Sequence, residues 1–226
     1  MSDTRISLVT GAAGFIGRHL VEQLIESGAR VRASAPSWED ISDLRAREAR
    51  GEIEFMTADL TRPETLAPLF EGGVERVFHL GAVCNLSTPY SALMPVNVGG
   101  VDSMSRLALS SSVRCFVYMG STSVYSPADS SALSEDSERA PSNAYGRSKR
   151  DAEDVLWERQ REGLGVIVLR PCSVYGPGCT DGAGKVFSRR SSIAAIPGSG
   201  RQLLSNVRVA SRPSSMILAN LSALRP

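Results

Sequence analysis

The stretch that most constrains this chain is TGAAGFIGRHL, Thr10 to Leu20, where the apolar run RISLVT passes through Gly11, Gly14 and Gly17 into an amphipathic segment. Glycine weakens strands and helices alike, so three of them at a strand-to-helix junction need a reason in backbone geometry. Strand, tight turn and helix together aim backbone N–H groups and a positive dipole end at a diphosphate. On that reading Gly11 permits the turn, Gly14 lets phosphate approach the backbone, and Gly17 lets the helix pack closely on the strand. The GxxGxxG spacing departs from the GxGxxG of the common dinucleotide fingerprint, and a tight strand–helix connection without a ligand is the plain alternative.

The chain beyond the turn keeps alternating. Phe15 to Ser27 reads as a helix, with Ile16, Leu20 and Leu24 on one face and Gly28 stopping it. ARVRASA, EIEFMTADL, ERVFHLGAV, RCFVYMGS and GVIVLRP read as further strands. Between them RPETLAPLF reads as a short helix, 91–112 as a longer one despite Pro95 and Gly99-Gly100, and AYGRSKRDAEDVLWERQREG as a third. Apolar strands alternating with helices imply a parallel sheet covered on both faces, so the expected fold is α/β, a doubly wound, Rossmann-like sheet. SPADSSALSEDSERAPSN (126–143) reads as a polar loop. After Pro177 the alternation ends, which predicts a dinucleotide-binding domain over 1–178 and a partial substrate-binding region over 179–226, too short to be a domain of its own.

Composition excludes more than it suggests. With 25 basic against 24 acidic residues, no electrostatic case exists for nucleic acid or an anionic membrane as partner. No run approaches the roughly 20 apolar residues of a membrane span, and the opening MSDTR lacks a signal-peptide layout. Cys84, Cys115, Cys172 and Cys179 follow no metal-ligand spacing, so reduced thiols, no metal and a cytoplasmic location are expected. His19, His79 and Trp157 read as packing residues and Trp38 as a loop anchor.

YGRSK places Tyr145 and Lys149 at i and i+4, on one face of a helix. A tyrosine with its ordinary pKa of about 10 is a poor base near neutrality. A neighbouring ammonium favours the phenolate, so the pair is expected to lower the Tyr145 pKa toward the working range.

Seven segments occur in one order: TGAAGFIGRHL; ADL at 58–60; HLGAV at 79–83; NVGG with Asn97; GSTSVYS at 120–126; YGRSK at 145–149; and LRPCSVYGPG at 169–178. In this the chain resembles the extended short-chain dehydrogenase/reductases, the NAD-dependent epimerase/dehydratase family. The resemblance implies a diphosphate seat at Gly11, Ala13, Gly14, Phe15, Ile16 and Gly17, and an adenine contact at Asp59 and Leu60. It implies further cofactor contacts at Leu80, Gly81, Ala82, Asn97, Pro171 and Cys172. It assigns catalysis to Ser121, Tyr145 and Lys149, with Tyr145 and Lys149 also meeting the cofactor. Family dehydratases carry Asp-Glu after the serine, whereas Thr122 and Ser123 stand here, which speaks against elimination of water.

The implied activity is NAD(P)-dependent oxidation–reduction or epimerisation of a sugar-nucleotide or similar carbinol, a small-molecule substrate. A homodimer is compatible with the resemblance. NAD is the default cofactor, with NADP open. Ala35, Pro36 and Ser37 occupy the place of the usual ribose-binding acid, while Arg32 falls three residues early and Asp40 too late. IPGSGRQLLSNV (196–207) still resembles the family, but Arg208, Val209 and Ser211 depart from its pattern, as does Ser173, and Pro213 interrupts the expected helix. The substrate lobe is therefore expected to be truncated or degraded. That leaves two alternatives, an enzyme or a dinucleotide-binding protein with little or no catalysis.

Overall fold

The computed structural model describes residues 5–125, 133–174, 176 and 178–179, together with the backbone of 209–210. Six strands form one parallel sheet: β1 (Ile6–Thr10), β2 (Arg30–Ala35), β3 (Glu54–Thr57), β4 (Val74–His79), β5 (Cys115–Met119) and β6 (Val166–Leu169). A two-residue β7 (Val209–Ala210) adds antiparallel to β6, giving the order β3-β2-β1-β4-β5-β6-β7. All six expected strands are present, and the sheet is Rossmann-like. The order reverses between β1 and β4, which opens a crevice beyond the carboxyl ends of those strands, where such sheets take their ligands.

Period-two alternation divides the core. Leu8, Val77 and Phe116 face one apolar cluster with Val101, Met104 and Leu156, whereas their neighbours Val9, Phe78 and Val117 face the other with Val21 and Val31. Both faces of the sheet are thereby covered, as a parallel sheet requires.

Helix α1 (Phe15–Glu26) ends as expected. Gly28, at φ +78°, donates to the Ile25 carbonyl and Ala29 to the Leu24 carbonyl, a Schellman closure. At its start, a Cβ on Gly17 would lie 2.1 Å from the Gly11 oxygen, so helix and turn touch backbone to backbone.

Three connections differ from the sequence reading. Helix α2 (Ser42–Ala49) was not anticipated, because it buries only Leu44 and so shows almost no apolar stripe. Local polar bonds define it instead: the Asp40 carboxylate accepts from the Ser42 N–H and hydroxyl, and Arg47 pairs with Asp43. RPETLAPLF forms two short 3₁₀ turns, Pro63–Thr65 and Ala67–Phe70, rather than one helix, since Pro68 has no N–H to continue it. The long helix is realised in three parts: α3 (Tyr90–Met94), a wide π turn (Pro95–Gly99) and α4 (Gly100–Ser110). Pro95 cannot donate to its preceding turn, and the Gly100 N–H reaches back five residues to the Pro95 carbonyl.

Helix α5 (Ala144–Arg161) completes the second layer. The partial substrate-binding region expected over 179–226 lies outside the described residues, except for Cys179 and the backbone of β7, as do residues 126–132 of the polar loop. All four cysteines are thiols.

Candidate active site

The crevice is floored by the glycine turn and pinned by Thr10. Its hydroxyl oxygen lies 3.0 Å from His79 Nδ1 and accepts from the Gly81 N–H at 3.3 Å, so the end of β1 fixes the end of β4. Gly11, at φ +66°, sits so close to Gly81 that a Cβ would approach its nitrogen to 2.7 Å. Gly14 is different. A Cβ there would meet only the Gly11 oxygen, at 3.3 Å, and the residue is solvent-exposed. Packing accounts for the bareness of Gly11 and Gly17 but much less for that of Gly14. No side chain caps α1, and its first turn holds no acidic residue. A cavity of about 270 Å³ opens beside this turn, lined by Gly11, Ala35, Glu39, Asp59, Leu60 and Gly81 among others.

His79 is wholly buried beneath this floor, with its ring stacked 6.1 Å from that of Tyr118. That agrees with the packing role expected of it. Burial, assisted by the Lys149 charge, depresses its pKa to about 3. Neutral in the folded chain down to that pH, it takes up a proton near its ordinary value of about 6.5 once unfolded, so the unfolded state binds the extra proton. Stability must therefore fall as pH drops from 6.5 toward 3, by about 1.4 kcal/mol per unit from this group. Urea unfolding at pH 6.5 and pH 5 should show this slope in the parent chain and a shallower one in His79→Gln.

The catalytic candidates meet at the end of β5. Asn143 caps α5, its side-chain oxygen accepting from the Gly146 N–H at 2.8 Å. A Cβ on Gly146 would fall 2.0 Å from the Ser123 oxygen, so the first turn of α5 presses against the short turn Thr122–Val124. This contact brings the Tyr145 hydroxyl to Ser121 and to the Cys84 thiol. Ser121 Oγ accepts from the Ser123 N–H at 3.1 Å, leaving its proton to donate. Lys149, only 3% exposed, donates from Nζ to the Met119 carbonyl at 2.8 Å and lies 5.8 Å from the centre of the Tyr145 ring.

The electrostatics correct one expectation. Burial pushes the Tyr145 phenol up from its ordinary value, the Cys84 thiol adds to this, and a hydrogen bond from Ser121 opposes it. Lys149 does not lower it here, because its ammonium is aimed at the Met119 carbonyl and lies over the Tyr118 ring at 4.9 Å. Lys149 itself is brought down to about 8 by burial, against the pull of Cys84 and Glu153.

Two groups acting on this site escaped the sequence reading. Cys84 is one, although its place directly after HLGAV was a usable signal. Glu153 is the other, fully buried one turn beyond Lys149. Its carboxylate takes two bonds from Arg170, at 2.9 and 2.7 Å, and one from Arg139 at 3.2 Å. One of its oxygens would stand 3.1 Å from a Cβ on Gly120, so this ion cluster braces the backbone just before Ser121.

Asn97, expected at the cofactor, is only 1% exposed. Its amide accepts from the Val83 N–H and donates to the Val83 carbonyl and to Ser148 Oγ. It thus ties the loop after β4 to α5. The Pro171 carbonyl accepts from the Thr122 N–H, while Cys172 is exposed. Asp59 and Leu60, with Gly81 and Ala82, line the cavity. Among the described residues, no cluster of three or more His, Cys, Asp or Glu side chains could hold a metal, and no helix is long and apolar enough to cross a membrane.

Residues 7–203 match the model of the NAD dependent epimerase/dehydratase family. The chain belongs to that family. Among its relatives, a putative UDP-arabinose 4-epimerase of Arabidopsis thaliana is 28% identical over 185 residues, covering 75% of this chain and 41% of the relative. A ceramide reductase of Caulobacter vibrioides is 29% identical over 195 residues, covering 84% and 52%. The crystal structure of UDP-glucuronic acid 4-epimerase from Bacillus cereus, in complex with UDP-glucuronic acid and NAD, superposes with a TM-score of 0.69 at 25% identity, covering 76% of this chain and 58% of that one. The chain therefore spans between about two fifths and three fifths of the length of these family members.

Proposed function

We propose that the chain is the dinucleotide-binding and catalytic portion of an NAD-dependent oxidoreductase or epimerase that acts at a carbinol carbon of a nucleotide sugar. The observation carrying this reading is the convergence of Ser121, Tyr145 and Lys149 at the carboxyl end of β5, the same end of the parallel sheet as the glycine turn. The residues fit a dinucleotide. The uncapped, acid-free start of α1 and the solvent-exposed backbone at Gly14 suit a diphosphate, and the cavity between Glu39 and Asp59 suits an adenosine. The relatives that act on nucleotide sugars favour that substrate class.

A bound nicotinamide supplies the hydride acceptor or donor; the chain supplies the rest. Ser121 donates a hydrogen bond to the substrate oxygen and orients it toward Tyr145. In the reductive direction the neutral Tyr145 phenol gives its proton to the carbonyl oxygen. In the oxidative direction the Tyr145 oxygen takes the proton of the hydroxyl only after passing its own to solvent, a step that burial of the phenol makes costlier. Lys149, cationic below a pH of about 8, has N–H bonds beyond the one given to the Met119 carbonyl and would hold the nicotinamide ribose. Thr122 and Ser123 offer no carboxyl for the loss of water, which favours epimerisation or simple redox over dehydration.

Incubation of the chain with NAD and a panel of nucleotide sugars tests this reading. Appearance of an epimer by NMR, or of reduced-nicotinamide absorbance, is expected for at least one member. Saturable NAD binding with no change in any sugar would overturn the catalytic part.

A further inference from the structure

We infer that Cys84 is the proton partner of Tyr145, its thiol carrying the proton between the phenol oxygen and solvent. The inference rests on the function proposed above and adds a residue to its machinery. The need arises from burial: Tyr145 is only 8% exposed and holds its proton firmly, yet that proton must leave before its oxygen can take another. Three side chains stand beside it. Ser121 donates to the phenol and is needed at the substrate oxygen. Lys149, 3% exposed, gives its ammonium to the Met119 carbonyl. Cys84 meets the same phenol hydroxyl and is an exposed free thiol, so it joins Tyr145 to solvent. The other titratable groups around the site are withdrawn: Glu153 is bonded to Arg170 and Arg139, and His79 and Tyr118 are wholly buried.

The fold holds the thiol in place. Asn97, in the wide turn between α3 and α4, accepts from the Val83 N–H at 2.8 Å and donates to the Val83 carbonyl at 3.0 Å, which fixes the backbone directly before Cys84. The same amide donates to Ser148 Oγ at 3.0 Å, and that hydroxyl donates to the Tyr145 carbonyl at 2.8 Å. One buried side chain thus ties the residue before the thiol to the residue that carries the phenol. Separating the two would leave buried polar groups without partners, a costly outcome.

The protons balance in both directions. In oxidation the Cys84 thiolate takes the Tyr145 proton, the Tyr145 oxygen takes that of the carbinol, and the thiol returns its proton to water. In reduction Tyr145 gives its proton to the carbonyl oxygen, Cys84 replaces it, and water reprotonates the thiolate. The hydride moves to or from the nicotinamide and is untouched by this exchange. Thiols are stronger acids than phenols, about 8.5 against about 10, so the sulfur can accept what the phenol must release.

Nucleotide-sugar turnover by the parent, Cys84→Ala and Cys84→Ser, with NADH affinity measured in parallel, tests the inference. Both variants are expected to turn over at least about tenfold more slowly near neutral pH, with NADH affinity unchanged. Imidazole, a mobile proton acceptor, should restore Cys84→Ala toward the parent rate and leave the parent unchanged, a response that a packing role would not give. Turnover within about twofold of the parent in either variant, or a loss that imidazole does not relieve, overturns the inference and leaves the proposed function standing. A parent that turns over no sugar overturns the proposed function, and a second readout then decides the inference. Alkylation of Cys84 by iodoacetamide, followed on its own peptide by mass spectrometry, is expected to slow at least about threefold in Tyr145→Phe, because the phenol no longer donates to the thiolate. Exposed Cys172 should react as in the parent. Equal rates at Cys84 in the two chains overturn the inference.

Discussion

A Tyr145→Phe variant is expected to bind NADH as the parent does and to turn over nucleotide sugar at least about 100-fold more slowly, the usual scale for a lost general acid–base group. Tyr145 is only 8% exposed, and phenylalanine fills the same space, so the fold should survive. What disappears is the hydroxyl positioned against both Ser121 and Cys84. Lys149 cannot replace it, because its ammonium is anchored to the Met119 carbonyl at 2.8 Å. Steady-state rates with cofactor affinity measured in parallel separate the two effects. Loss of turnover with affinity retained places Tyr145 at the chemical step. Turnover within about threefold of the parent would remove it from that step, since a general acid–base group is worth far more.

The sheet was legible because its signals are local and repeated. Strands buried on both faces appear as short β-branched runs, and Gly28 marks the end of α1 by itself. Helix α2 was not legible, since one buried leucine leaves no stripe to detect and its stability comes from Asp40, Asp43 and Arg47. That Ser121, Tyr145 and Lys149 are candidates was legible from residue types and order. Their surroundings were not: Glu153, Arg139 and Arg170 come from separate elements and meet only when α5 docks beside β6. The expected lowering of the Tyr145 pKa failed for a related reason. Helical spacing puts Lys149 on the same face as Tyr145, but the tertiary contact to Met119 sets where its charge points.

Gly14→Asp should separate fold from ligand most sharply. Gly14 is the N-cap of α1, with φ −69° and ψ 166°, a conformation in which aspartate is a favoured cap. Its new Cβ would press only on the Gly11 oxygen, at 3.3 Å, which must yield by a few tenths of an ångström. The helix gains a capping carboxylate, and the proposed diphosphate loses its place to a negative charge. At an effective dielectric of about 20, two unit charges about 4 Å apart repel by roughly 4 kcal/mol, enough to weaken binding by at least about 100-fold. A strand–helix connection with no ligand would register none of this.

The most direct measurement of the central claim, that the glycine turn holds a dinucleotide, is a calorimetric titration of NADH into the parent chain and Gly14→Asp, both first shown to be folded by circular dichroism. The account predicts saturable binding by the parent and a loss of at least about 100-fold in the variant. Equal binding by the two, or no binding by the folded parent, would contradict it.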